Sequence, residues 1–269
     1  MQQSVRTSSS FLTDRDQYTK LGEQRSFTHV INRSIVQGSG NGPTLFVIFI
    51  CDLRPISAIN RMAKYTVDAT LLVPEKIYIQ IQDEFNSITK WAADNKLTIN
   101  LSNTRELIFH RPNPRNYIPP TEINGIEIVS VVKLLGIWLQ DDMSFTKHVD
   151  YITHICNQRL YLLNQLKKQS LPRTELQSVF VITVLSRLLY ASPAWNGYAT
   201  ASNLESLKNV LIKAKRWQIV DKDYVLQELF RDCERALFSA AQSSNHCLNH
   251  LFLVKPNRVH TISLRSRGS

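Results

Sequence analysis

KYTVDATLLV, Lys64 to Val73, sets two short apolar runs on either side of one polar step. Tyr65 and Thr66 close the first run and Ala69 to Val73 open the second, so the stretch predicts a β-hairpin with Val67 and Asp68 at its turn. That turn presents one carboxylate, Asp68.

Upstream, SIVQGSGNGPTLFVIFI, Ser34 to Ile50, reads as a strand, a glycine-rich turn and a helix whose first turn is set by the fixed φ of Pro43. The glycines Gly38, Gly40 and Gly42 allow close backbone approach. Residues 1–10, MQQSVRTSSS, are polar and serine-rich and are expected to be disordered, with structure beginning near Phe11.

Downstream, Tyr78, Ile81, Phe85, Ile88 and Ala92 recur at helical spacing, with Asn95 as the stop. Strands are expected over 97–100 and 106–110, then, after the proline-rich loop RPNPRNYIPP, over 126–129 and 131–139. The chain to residue 143 thus reads as an α+β domain. From Ser144 the period turns helical, with Val149, Ile152, Cys156, Leu160 and Leu163 on one face and Lys147, Arg159, Lys167 and Lys168 on the same helix. Pro172 opens a second helix to about Tyr190, with Val179, Ile182, Leu185 and Leu189 at buried spacing. Two further helices follow, about 204–217 and 224–241, and a frayed basic end from Lys255.

Composition narrows the class of partner. Of 269 residues 43% are hydrophobic, enough for an ordinary core. Lys and Arg outnumber Asp and Glu by 32 to 22, a net +10 that favours a polyanion through counterion release. The final quarter, from Ala201, holds eleven Lys or Arg against six acids. Cys51, Cys156, Cys233 and Cys247 are far apart, which argues against a secreted disulfide scaffold and for a reducing compartment. NHCLNH, with His246, Cys247 and His250, lacks a fourth zinc ligand at standard spacing and reads as a polar helix end. With no leader-like N-terminus and apolar runs short of a membrane span, the chain is expected to be soluble and intracellular, in nucleus or cytoplasm.

Several strings now stand in one order: FLTDRDQYTK, SIVQGSGNGPTLFVIFICDL, KYTVDATLLV, WAADNKLTINLSNTRELIFH, LLGIWLQDDMSFTKHVDYI, YASPAWNGY, and then LFRDCERALF with NHCLNHLF. Together they resemble the reverse transcriptase of non-LTR retrotransposons of the LINE or jockey-like kind, from about Phe11 to Tyr198 and more weakly to about Phe252. The resemblance implies part of a polymerase palm over 11–143, a helical thumb over 144–200 and a basic helical extension over 201–269. It implies RNA-directed DNA synthesis with magnesium, on RNA or an RNA/DNA hybrid.

Residue by residue, the family's hairpin carries Tyr-x-Asp-Asp, so Asp68 matches the second acid and Val67 stands at the first. Asn103 stands where the family usually has a lysine that protonates pyrophosphate. Gln37, Gly38 and Ser39 match the turn that contacts nucleotide and template, or are relics of a tight turn. Leu135, Gly136 and Trp138 match the primer grip, with core packing as the alternative for Leu135 and Trp138. Lys147, Arg159, Lys167 and Lys168 would lie along the hybrid backbone, or form an ordinary solvated face.

The third aspartate of the family lies on a strand upstream of the Gln-Gly-Ser turn. Here 36 residues precede Gln37 and already match the segment adjoining that turn, so the strand and the fingers are expected to be absent, as is an endonuclease domain. Two-metal catalysis needs several converging carboxylates. Losing about 7 kcal/mol of transition-state stabilisation slows a reaction about 10⁵-fold. The sequence therefore predicts a chain that no longer polymerises, leaving a nucleic-acid-binding module or a decayed element fragment.

Overall fold

The computed structural model describes residues 15–31, 40–66, 68–74, 81–110, 122–123 and 125–252. Chain contacts divide it into two units, residues 1–104 with 120–127 and residues 105–119 with 128–269. The disorder expected for 1–10, the strand before residue 37 and the basic end from Lys255 lie outside the described residues.

In the first unit β1 (Arg15–Gln17) pairs antiparallel with β4 (His29–Ile31), and β2 (Lys20–Leu21) with β3 (Gln24–Arg25) around Gly22 at φ +61°. Arg25 stacks 3.4 Å over the Tyr18 ring. The expected helix is α1 (Gly42–Phe49), with Pro43 in its first turn. Its Val47, Ile48 and Phe49 are all exposed. Beyond it, Lys64 on β5 (Arg61–Tyr65) donates to the carbonyls of Ile50 and Leu53, both at 2.6 Å, placing a cation just past the C-terminal end of α1.

Helix α2 (Ile81–Asp94) buries Ala92 as its spacing predicts, but also Glu84, which is fully buried. The Glu84 carboxylate accepts from the Ile56 N–H at 2.9 Å, the Ser57 N–H at 2.8 Å and the Asn60 amide at 2.7 Å. A buried charge is tolerable when its oxygens are filled in this way. The helix stops as expected at Asn95: Lys96 turns left-handed at φ +59°, and the Leu97 N–H reaches back to Ala92 O at 2.8 Å.

Residues 97–100 are not the strand the alternation predicts. The Asn100 side chain accepts from the Ser102 hydroxyl and its carbonyl from the Thr104 hydroxyl, a local pattern that competes with sheet pairing and leads into a 3₁₀ turn, Leu101–Asn103. The strand expected over 106–110 shrinks to β7 (Arg105–Glu106), and that over 126–129 to β8 (Glu127–Ile128).

The second unit opens with a correction to the strand expected over 131–139. It is a hairpin, β9 (Val131–Leu134) and β10 (Ile137–Gln140), turning at Leu135, φ +47°, and Gly136, φ +89°. Two left-handed residues match the right-handed twist of the flanking strands. The Gln140 side chain then accepts the Lys147 N–H at 2.9 Å, satisfying one free donor in the first turn of α3 (Thr146–Lys168).

Helix α3 buries Val149, Ile152, Cys156, Leu160 and Leu163, the face its spacing predicts, and His148 besides. The next helix departs from expectation in part. Leu176, Phe180, Val184 and Leu188 are fully buried; of the expected face Leu185 is buried and Val179 and Leu189 pack against the core, whereas Ile182 is 70% exposed. A strict step of four drifts off one face of an α-helix; here α4 (Arg173–Phe180) widens into a π turn, Val181–Leu185, before α5 (Ser186–Leu189), which keeps the step in register. By length and composition alone the helical stretch Arg173–Ala194 could cross a membrane, yet its Leu176, Phe180, Val184 and Leu188 lie in the core.

Helices α6 (Ala201–Arg216), capped by the Thr200 hydroxyl, and α7 (Leu226–Ala241) complete the unit. One buried cluster runs from Phe145 to Phe230 and takes in Leu207, Val210, Leu226 and Trp195. Burial pushes the Cys156 thiol up to about 11.

Candidate nucleic-acid interface

The Lys64 to Val73 hairpin is present, with one shift. Strands β5 and β6 (Asp68–Leu72) pair from Arg61↔Leu72 to Tyr65↔Asp68, so Asp68 opens the returning strand instead of sitting in the turn. Thr66 sits at φ +50°, where a β-branched residue is strained. Asp68 is exposed; Val67 lies outside the described residues, as do Gln37, Gly38 and Ser39. Among the described residues no three His, Cys, Asp or Glu side chains gather as a metal site, and a hard cation such as magnesium asks for several oxygens. His246 and His250 bond instead to local backbone, at Leu248 and Cys247. Asn103 ends the 3₁₀ turn with its side chain exposed.

A second constellation forms in the other unit, on the β9–β10 hairpin and the helices beside it. Lys133 and Trp138 face each other across the strands. The Lys133 ammonium lies 5.7 Å from the Trp138 ring and 4.9 Å from that of Tyr151 on α3, and the Lys147 ammonium 4.6 Å over Trp138. Arg187 of α5 donates to the Tyr151 hydroxyl at 3.1 Å, its guanidinium 5.4 Å from that ring. The two rings meet edge to face, centroids 6.3 Å apart. Each exposed cation–π contact is worth about 0.5–1 kcal/mol, enough to order the cations without removing their charge. Hydrogen bonding and charge from Lys133, and then Arg187, hold the Tyr151 phenol below its ordinary range. The Trp138 indole N–H is buried without a partner among the described residues.

Among the described residues Lys133, Lys147 and Arg187 enter no ion pair, whereas Lys90, Arg173, Lys208, Lys215 and Arg235 all do. Three cations and two rings without a carboxylate partner are suited to phosphate and base contacts.

The cations expected along α3 divide. At about 100° per residue Lys147, Arg159, Lys167 and Lys168 fall on different sides of the helix. Lys147 joins the constellation. Arg159 donates to the carbonyl of Thr183 in the π turn. Lys167 caps the end of α6, reaching the Trp217 carbonyl at 2.7 Å and Gln218 at 3.1 Å. Lys168 is exposed. Leu135 stands half exposed at the hairpin tip and is not core; Trp138 is partly buried.

Two side chains anchor this hairpin from below. His148 Nδ1 accepts the Trp138 backbone N–H at 3.4 Å, while Nε2, the nitrogen left with the proton, is buried without a partner among the described residues. Burial first, and then Arg187 and Lys133, push this imidazole down to about 4. Its ring meets Trp195 edge-on at 5.2 Å. Tyr190 donates its hydroxyl to the Leu135 carbonyl at 2.9 Å. Lys133, Tyr151 and Arg187 are not singled out by the sequence; they come from three separate elements, and the one available signal is the spacing that pairs Lys133 with Trp138 across a hairpin.

No family model matches the chain, and no solved structure matches it. Curated relatives do. A probable RNA-directed DNA polymerase from transposon BS of Drosophila melanogaster is 26% identical over 233 residues, covering 81% of this chain and 26% of the relative. The RNA-directed DNA polymerase from mobile element jockey of Drosophila funebris is 24% identical over 71% of this chain and 22% of its own length. That of Drosophila melanogaster jockey is 23% identical over 77% and 24%. The chain spans about a quarter of each. Similarity across most of its length, to three mobile-element polymerases, makes this chain a relative of the LINE-like reverse transcriptases.

Proposed function

We propose that this chain binds RNA or an RNA/DNA hybrid through the phosphate backbone and does not polymerise. The observation that carries the reading is the constellation of Lys133, Lys147 and Arg187 around Trp138 and Tyr151, three cations that enter no ion pair among the described residues. It occupies the hairpin that the resemblance assigns to the primer grip, in a relative of enzymes that act on nucleic acid. Lys168 adds charge; Arg159 and Lys167 serve the fold. The resemblance also supplies the reason for inactivity: Val67 and Asn103 stand where an acid and a proton donor belong, and Asp68 alone holds magnesium weakly.

The test is a titration of labelled hybrid, RNA and duplex DNA against the full chain at several salt concentrations, beside primer extension with magnesium. Three neutralised phosphates predict a log–log salt slope of about −2.7 on duplex, reduced by about one in Lys133→Gln. No extension product is expected. Extension abolished by Asp68→Ala, or binding indifferent to salt, refutes the proposal.

A second reading is a decayed element fragment with no selected role, and α1 favours it. A helix apolar all round is ordinarily buried, yet Val47, Ile48 and Phe49 face solvent. Aggregation at micromolar concentration supports that reading. A monomer that melts cooperatively argues against it.

A further inference from the structure

We propose that Tyr190 is a positioning residue, holding the tip of the β9–β10 hairpin so that Lys133 and Trp138 are presented in one fixed arrangement; this rests on the nucleic-acid-binding reading above. A two-stranded hairpin is marginal by itself, and these strands are four residues each. Its tip is less favourable still, because Leu135 adopts φ +47° and its side chain is 44% exposed, so burial offsets little of that strain.

What holds the tip is Tyr190. Its hydroxyl donates to the Leu135 carbonyl at 2.9 Å, and its ring edge lies 3.4 Å from where a Cβ on Gly136 would be. The tyrosine is in turn fixed from below. Its carbonyl accepts the Trp195 indole N–H at 3.1 Å, and Trp195 is fully buried, edge-on to His148 and to Phe230 at 5.6 Å. Ala191, at φ +49°, makes the bend that returns the chain to Trp195.

The hairpin is therefore gripped twice, at the tip by Tyr190 and at Trp138 N–H by His148. Lys133 and Trp138 form the register pair next to the tip pair, Leu134 and Ile137. Movement of the tip moves them, and a cation that must be ordered on binding loses affinity to the entropy of ordering. Tyr190 itself stands outside the cation–aromatic constellation and need not touch the ligand.

Tyr190→Phe in the full chain removes the hydroxyl and little else. Two measurements read it: hydrogen exchange of amides 131–140, and salt-dependent binding of a fluorescein-labelled RNA/DNA hybrid. We expect faster exchange in the hairpin with α3 unchanged, and binding weakened about fivefold, the scale of one neutral hydrogen bond, at the wild-type salt slope. Unchanged hairpin exchange overturns the proposal. So does faster exchange with wild-type affinity, which would leave Tyr190 a merely structural role. A slope lowered by about one also overturns it, because that marks a direct phosphate contact. If the wild-type chain binds no nucleic acid, the functional reading fails and positioning for binding fails with it, while the exchange data still decide whether Tyr190 holds the tip.

Discussion

Acidification tests the buried imidazole beneath the hairpin. His148 is 2% exposed, accepts the Trp138 N–H, and has its basicity pushed down to about 4 by burial and by Arg187 and Lys133. In the unfolded chain the ring returns to about 6.5. Between these values the unfolded state holds a proton the folded state refuses, so stability rises with pH across that window. The contribution is complete above about pH 6.5 and is lost as pH falls toward 4. The difference corresponds to about 3 kcal/mol, with a local slope approaching about 1.4 kcal/mol per pH unit. Urea unfolding followed by Trp fluorescence and far-ultraviolet dichroism, from pH 4 to 7.5, measures it. His148→Asn keeps an acceptor near the Nδ1 position and cannot titrate. It should start less stable, having lost the ring against Trp195, and then hold its stability better on acidification than the wild type. Carboxylates titrate in both proteins and cancel in the difference. Parallel curves would refute the assignment of a neutral buried His148.

Other expectations concern single side chains. Glu84→Gln turns one oxygen into a donor and leaves one of its three donors unmet; we expect a loss of about 2–3 kcal/mol and faster proteolysis within 51–60. Leu160→Ala empties a fully buried site on α3 and should destabilise the helical unit by about 2–5 kcal/mol in the same urea assay. Gly136→Ala forces a side chain into φ +89° and against Tyr190, and should lower the melting temperature by the equivalent of about 1–2 kcal/mol.

Legibility in the sequence followed the range of the interaction. Helix α3 was readable residue by residue because one stripe over 23 residues leaves its phase no freedom. After Pro172 the expected face is right at Leu185 and fails at Ile182, since an α period does not anticipate the π turn that carries a step of four from Leu176 to Leu188. The 131–139 stretch looked like one strand because Leu135 gives no turn signal; its left-handed backbone is held from outside by Tyr190. The Lys64 hairpin is legible in its two apolar runs, but nothing local shows that Asp68 pairs with Tyr65 in the strand instead of sitting in the turn. Glu84 was invisible as a buried residue, for its partners lie 24 to 28 positions away. The cation constellation was hidden for the same reason, Lys133, Tyr151 and Arg187 meeting only once three elements pack.

Cys156 gives the helical unit a chemical reporter of its own opening. Its thiol is fully buried at the centre of α3 and held in the unreactive protonated form, whereas Cys51 and Cys247 are exposed. An alkylating reagent should consume the exposed thiols at once and reach Cys156 only when α3 leaves the core. Its labelling rate, read by mass spectrometry of one peptide, would report how often that unit opens, without an added probe or a substitution.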